Sequence, residues 1–151
     1  MKVIIQRVSM ASVTVNDHVV ASIQQGLLVL VGVEPSDTED DAQQMVKKIC
    51  NLRLFATTTS GFDQSLSDIT GDILLVPQFT LMANCQRGRR PSFESAARPP
   101  HAKAMFHAVV DAAHAMPIGA VASGVFGANM QVDLTNDGPV TISLNSTNIK
   151  G

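Results

Sequence analysis

The chain has no tryptophan and no tyrosine, and only 6 phenylalanines among its 151 residues. Stacking on several aromatic side chains, as single-strand binders use it, therefore does not dominate its chemistry. Cysteine is scarce as well. Cys50 and Cys85 stand far apart and form no CxxC or other metal spacing, so both are expected as free, buried thiols in a reducing compartment. No apolar run approaches the ~20 residues that a membrane helix needs. The start, MKVIIQRVSMASV, carries Arg7 inside its apolar stretch and soon alternates, which reads as a strand and not as a signal peptide. A cytoplasmic location without a membrane partner is expected. Charge of one sign is lacking too. With 11 Lys+Arg against 13 Asp+Glu the net charge is −2, which excludes a strongly basic, whole-surface nucleic-acid binder but leaves room for a local basic patch.

Common catalytic signatures are also missing. There is no GxSxG, no HExxH, no P-loop and no GxGxxG after a strand. His107 and His114 are seven apart on one expected helix, but no third ligand follows at metal spacing, and His18 and His101 lie elsewhere. No metal and no cofactor are expected.

What is present describes one folded domain over residues 1–151. At 45% hydrophobic and 16% charged, the chain is compact in composition and long enough to bury a core without staples. VIIQRV (3–8) reads as a strand buried on both faces, and SVTVNDHVVASI (12–23) as a hairpin turning at Asn16-Asp17. GLLVLVGV (26–33) is a continuous apolar run, hence a central strand. Ser36 and Glu39 form an S-x-x-E capping box before a helix whose stripe is Ala42, Met45, Val46 and Ile49. LRLFA (52–56) is an expected strand, and the polar stretch 57–71 a loop with room for a short edge strand. DILLVPQFTL (72–81) reads as a strand interrupted by Pro77, and 82–100 as irregular. A second helix is expected over 101–116, with Ala104, Met105, Ala108, Val109 and Ala112 inward, Pro99 and Pro100 at its start and Pro117 beyond its end. A glycine-punctuated strand (119–127) precedes a final hairpin turning at Asn136-Asp137-Gly138. The fold class is α/β, mixed and mostly antiparallel, with two main helices packed on the sheet.

Three stretches raise the question of function. In PQFTL (77–81), proline costs a strand its ladder donor, and strand alternation would send Gln78 and Thr80 to one face and Phe79 and Leu81 to the other. A half-exposed edge strand and a polar site at a strand end both fit. In NDGPVT (136–141), glycine admits close approach and proline fixes the backbone, which suits a tight turn or a ligand contact. RGRRPSF concentrates Arg87, Arg89 and Arg90, followed by Arg98, His101 and Lys103. Such a loop is either simply solvated or placed for phosphate.

Together with IIQRVSMASVTV, GLLVLVGV, NLRLF, LLVPQFTL and GVFGANMQVDLTNDGPVT, these stretches resemble the D-aminoacyl-tRNA deacylase family over nearly the whole chain. The resemblance implies a homodimeric ester hydrolase that removes D-amino acids, and also glycine, from tRNA, with its sites at the subunit interface. Each subunit inserts its Gly138-Pro139 into the partner's pocket. In the cis form, main-chain carbonyls capture the substrate's amino group and leave no room for an L side chain. Arg7 matches the arginine that braces this dipeptide. Phe126, Ala128 and Met130 match the pocket wall, and Arg87, Arg89 and Arg90 the tRNA contacts. The Phe79 N–H is the implied donor to the ester oxygen, with Gln78 and Thr80 beside it. Thr80 is assigned to lining the site, because no base with recognisable spacing activates its hydroxyl; the tRNA's own terminal 2′-hydroxyl assists instead. One departure stands out: Pro77 occupies the place of the family's usual serine. A proline there is similar to a related branch of tRNA deacylases with a trans Gly-Pro and relaxed chirality. That branch is one alternative, and a non-catalytic tRNA-binding dimer is another.

Overall fold

The computed structural model describes residues 1–58 and 61–149. Its organising element is β1 (Lys2–Val15), a single strand of 14 residues where the sequence suggests a short strand followed by a separate hairpin arm. Burial alternates along much of it, so it is not covered on both faces over 3–8. The chain turns at Asn16 and Asp17, with φ of 49° and 61°, into β2 (His18–Ile23). Two successive left-handed residues make the turn whose twist suits a hairpin, as the sequence implies.

β3 (Gly26–Gly32) is central. It pairs antiparallel with β1 and parallel with β6 (Asp72–Pro77). Shorter than expected, β7 (Val121–Ser123) continues the parallel side, and β8 (Gln131–Asn145) runs antiparallel along the opposite edge of β1. The main sheet has the order β2-β1-β3-β6-β7, with β8 beside β1. β4 (Arg53–Phe55) and β5 (Gln64–Ser65) form a separate two-stranded sheet, so the short strand expected within 57–71 exists. Positions 59 and 60 of that stretch lie outside the described residues. The short α2 (Leu66–Ile69) follows, capped by Ser65; the Ser65 backbone N–H and then its hydroxyl hold the Asp68 carboxyl below its usual range.

The final hairpin expected from sequence is not formed. Gln6 pairs with Thr141 and Val8 with Asn136, so residues 137–140 stand opposite Arg7 alone as a bulge in one long strand. Both apolar arms find a continuous partner in β1 and have no need to pair with each other.

α1 (Glu39–Asn51) buries Ala42, Met45, Val46 and Ile49 as its periodicity demands. Its cap is Thr38 with Asp41, not Ser36 with Glu39. Residues 34–37 are held as a turn by the Asp37 N–H donating to the Glu34 carbonyl at 3.2 Å, and the buried Asp37 carboxylate faces the buried Met1 ammonium. That ammonium also donates to Ser146 Oγ at 2.8 Å, which ties the first residue to the end of β8. α3 (Pro99–His114) carries its prolines at the first two helical positions, where no N–H is needed. Ala104 is exposed; Ala102, Phe106 and Ala113 join Met105 and Val109 inside.

Both long helices pack on one face of the sheet, against Val3, Ile5, Val29, Val31, Ile73 and Leu75. A smaller cluster with Val8, Val13, Leu28, Leu74 and Val76 occupies the other face. Cys50 is buried on the helix-covered face, whereas Cys85 is exposed, against expectation, because it lies on the solvent-exposed excursion between Asn84 and Ser92. No helix among the described residues is long and apolar enough to cross a membrane.

Candidate active site

The parallel strands β3 and β6 end side by side, and a cleft of about 940 Å³ opens just beyond them. Ligand sites of open α/β sheets lie in this position, at the carboxyl ends of the strands. Val31 and Val76 form the floor, Phe106 of α3 one wall, and the segment before β8 the other.

Pro77 is the last residue of β6, and β6 is an interior strand, not an edge. Its proline is tolerated for a local reason. The Gln78 N–H donates to the Val31 carbonyl at 2.8 Å, so the alternate position, Pro77, turns its nitrogen away from β3. On that side the last bond to the β7 segment is the Gly124 N–H to the Leu75 carbonyl at 2.8 Å, and the ladder stops at Pro77, which has no N–H to give the next one. The bonds to β3 are untouched, and the proline only ends the pairing on the β7 side.

Beyond Pro77 the strand does not continue. Phe79–Met82 form a 3₁₀ turn, in which the Leu81 N–H donates to the Gln78 carbonyl at 3.2 Å. The two-sided alternation expected for Gln78 to Leu81 therefore does not hold. Gln78 and Phe79 both line the cleft, together with Phe126, Ala128 and Met130. Phe79 is 59% exposed and meets Phe93 edge-on, with ring centroids 5.1 Å apart. The first N–H groups of a helical turn have no acceptor within it, which leaves the Phe79 N–H free to serve a ligand. Thr80 is exposed beside the cleft and does not line it; its hydroxyl accepts from the Gln78 side-chain amide.

Phe93, Arg98 and Phe106 also line the cleft; the sequence names Arg98 only as a phosphate candidate and gives Phe93 and Phe106 no role of their own. Phe106 is the one with a readable signal, since it sits one position from Met105 on the buried side of α3. The segment 93–99 that forms this wall leads back into the arginine loop. Asn84 and Ser92 exchange backbone hydrogen bonds of 2.8 and 2.9 Å and so pinch off residues 85–91. Arg87, Arg89 and Arg90 are exposed on this excursion, and none makes an ion pair among the described residues.

Gly138, Pro139 and Arg7 are not part of this cleft. Gly138 and Pro139 are exposed on the bulge of β8, and their peptide bond is cis. Gly138 has φ of 147°, and a Cβ there would lie 2.7 Å from Val140 Cγ2 and 2.8 Å from the Val140 nitrogen, so glycine is required. The Arg7 guanidinium braces the bulge: Nε donates to the Asp137 carbonyl at 2.8 Å and Nη1 to the Leu54 carbonyl at 2.6 Å. Val132 reaches the cleft but Gly138, six residues further along the same strand, does not. At the usual rise they are about 20 Å apart.

Residues 4–145 match the family described as D-Tyr-tRNA(Tyr) deacylase. A D-aminoacyl-tRNA deacylase of Herpetosiphon aurantiacus is 51% identical over 97% of this chain and 95% of its own length. A solved structure described as c-Myc DNA unwinding element binding protein superposes with a TM-score of 0.90 at 37% identity, covering 96% of this chain and 98% of that one. A second, described as a probable eukaryotic D-amino acid tRNA deacylase, has a TM-score of 0.75 at 21% identity over 95% and 97%, and shares the fold.

Proposed function

The chain belongs to the D-Tyr-tRNA(Tyr) deacylase family, and on that footing we propose that it hydrolyses the ester joining a D-amino acid, or glycine, to the terminal adenosine of tRNA. The products are free amino acid and free tRNA. The observation that carries the detailed reading is a cleft and a braced Gly-Pro bulge that lie apart within one chain. A second copy, arranged about a two-fold axis, brings each bulge to the other's cleft, and two equivalent sites result. Locally held main chain then surrounds the α-carbon. The carbonyls receive the α-amino group, a D side chain points to open space, and an L side chain meets the backbone. Glycine has no side chain to reject and passes.

In the cleft, the Phe79 N–H stabilises negative charge as water attacks the ester carbonyl. Thr80 is poorly placed as a nucleophile. Its hydroxyl meets the Gln78 amide, which donates a hydrogen bond and takes no proton. The tRNA's 2′-hydroxyl, adjacent to the scissile ester, is the group left to assist. Arg87, Arg89 and Arg90 hold the phosphates of the acceptor end at the mouth of the cleft.

Matched D- and L-aminoacyl-tRNA pairs, incubated with purified protein, test this reading. D-tyrosyl-, D-alanyl- and glycyl-tRNA should lose their amino acids while the L-forms persist. Cleavage of L-alanyl-tRNA at the D rate would replace it with the relaxed-chirality branch to which Pro77 is similar. Binding without ester loss would leave only a tRNA-binding dimer. A terminal 2′-deoxyadenosine substrate should be cleaved poorly.

A further inference from the structure

Phe62 is a large apolar residue left 59% exposed, so core packing does not explain its position. Its ring faces the Arg7 guanidinium, with 6.0 Å from Cζ to the ring centroid. That is the outer range of a cation–π contact. Two donors of Arg7 are directed at main chain, Nε at Asp137 on the bulge and Nη1 at Leu54 on β4. Its Nη2 lies 3.2 Å from where a Cβ of Gly138 would be. One guanidinium thus touches the bulge on one side and the small sheet on the other.

The small sheet fixes Phe62 as well. The Asp63 N–H donates to the Phe55 carbonyl at 3.0 Å, and Phe55 pairs with Gln64, so the chain is clamped immediately after Phe62. The β4–β5 unit, which lies off the main sheet, supplies Arg7 with both a carbonyl acceptor and an aromatic face. We propose that Phe62 is a positioning residue for Gly138-Pro139, acting through Arg7. The ring sets the plane of the guanidinium and keeps water off one of its faces, so that Nε stays directed at the Asp137 carbonyl. Without the ring, the guanidinium swings between protein and water acceptors, and the bulge moves with it. The functional consequence rests on the chirality reading above; the geometric claim does not.

The test compares wild type with F62A, F62L and F62Y by two measurements. Solution NMR reads how fast the Arg7 Nε–H exchanges with water. Kinetics reads the ratio of L- to D-tyrosyl-tRNA hydrolysis. F62A and F62L should exchange severalfold faster and show an L/D ratio raised about two- to fivefold, the size of an exposed cation–π contact. F62Y keeps the aromatic face and should match wild type in both. The thermal midpoint should hardly move. F62L behaving as wild type would overturn the proposal, since apolar cover alone would then suffice, and so would unaltered Arg7 exchange in F62A. If wild type itself shows no preference for the D-form, the chirality reading fails, and the Arg7 exchange rates still decide the role of Phe62.

Discussion

The Asn136 side chain pairs with the main chain of Val140 across the bulge: its Oδ1 accepts the Val140 N–H at 2.7 Å, and its Nδ2 donates to the Val140 carbonyl at 3.2 Å. The same Nδ2 reaches Thr141 Oγ1 at 3.0 Å. A side-chain amide thus takes the place of the strand that residues 137–140 have left. Val140 is buried, so its polar groups have little water to turn to. Asn136→Ala should cost about 2 kcal/mol of stability, measured by urea unfolding. Asn136→Asp keeps the acceptor and loses the donor, and should fall between the two. A loss below about 0.5 kcal/mol in the alanine variant would mean that water reaches the bulge freely.

The two thiols should differ sharply. Burial pushes the Cys50 thiol up to about 11, whereas Cys85 is exposed. At pH 8 the native protein should release one equivalent of thionitrobenzoate rapidly and the second only on unfolding. The sign of the stability effect follows from the neutral form being the protonated one. Between the ordinary thiol value of 9.0 and about 11, the unfolded chain gives up a proton that the native chain retains. Stability therefore falls as pH rises through that window, and Cys50 contributes nothing to the pH dependence below it. Cys50→Ala should remove this part of the dependence when urea midpoints at pH 8 and pH 10 are compared.

Much of the fold can be read locally. The β3 run and the α1 stripe need only their own residues, and the Asn16-Asp17 turn needs only two residues that tolerate positive φ. The failures share another cause. Alternation on both sides of Asn136 fits a hairpin or one bulged strand equally well, and the choice is made by β1 at the far end of the chain. The capping box at Ser36 loses to Thr38 because the buried Met1 ammonium fixes Asp37 in the preceding turn. Gln78 and Phe79 stand out in the sequence, but their geometry follows from a 3₁₀ turn that apolar alternation does not signal. Phe62 carries no local pattern at all; the β4–β5 pairing holds the chain beside it, and the Arg7 side chain that it faces is distant in sequence.

The arginine loop makes a separable prediction. Arg87, Arg89 and Arg90 are exposed and form no ion pair among the described residues, so their removal costs the fold little. Replacing all three with alanine should leave the thermal midpoint unchanged. The KM for D-aminoacyl-tRNA should rise about tenfold or more at 0.1 M salt, and the slope of log affinity against log salt should drop by roughly one for each phosphate that is no longer neutralised. Unchanged salt dependence would remove the loop from the tRNA interface.

Thr80 offers the clearest division between two chemistries. A threonine nucleophile needs a base to take its proton, but the hydroxyl meets the Gln78 amide, which is no base, and sits on the exposed side of the 3₁₀ turn. If water is the nucleophile and the tRNA's own hydroxyl assists it, Thr80→Ala loses a neighbour of Gln78 and nothing from the reaction coordinate. Its kcat on D-tyrosyl-tRNA should stay within about tenfold of wild type, less than the 10²-fold or more that general acid–base groups contribute. A fall of several orders of magnitude, with tRNA binding and the unfolding midpoint intact, would instead mark Thr80 as the attacking group. Trapping of an aminoacyl ester on that residue would then be expected in acid-quenched reactions, and its absence in wild type would return the attack to water.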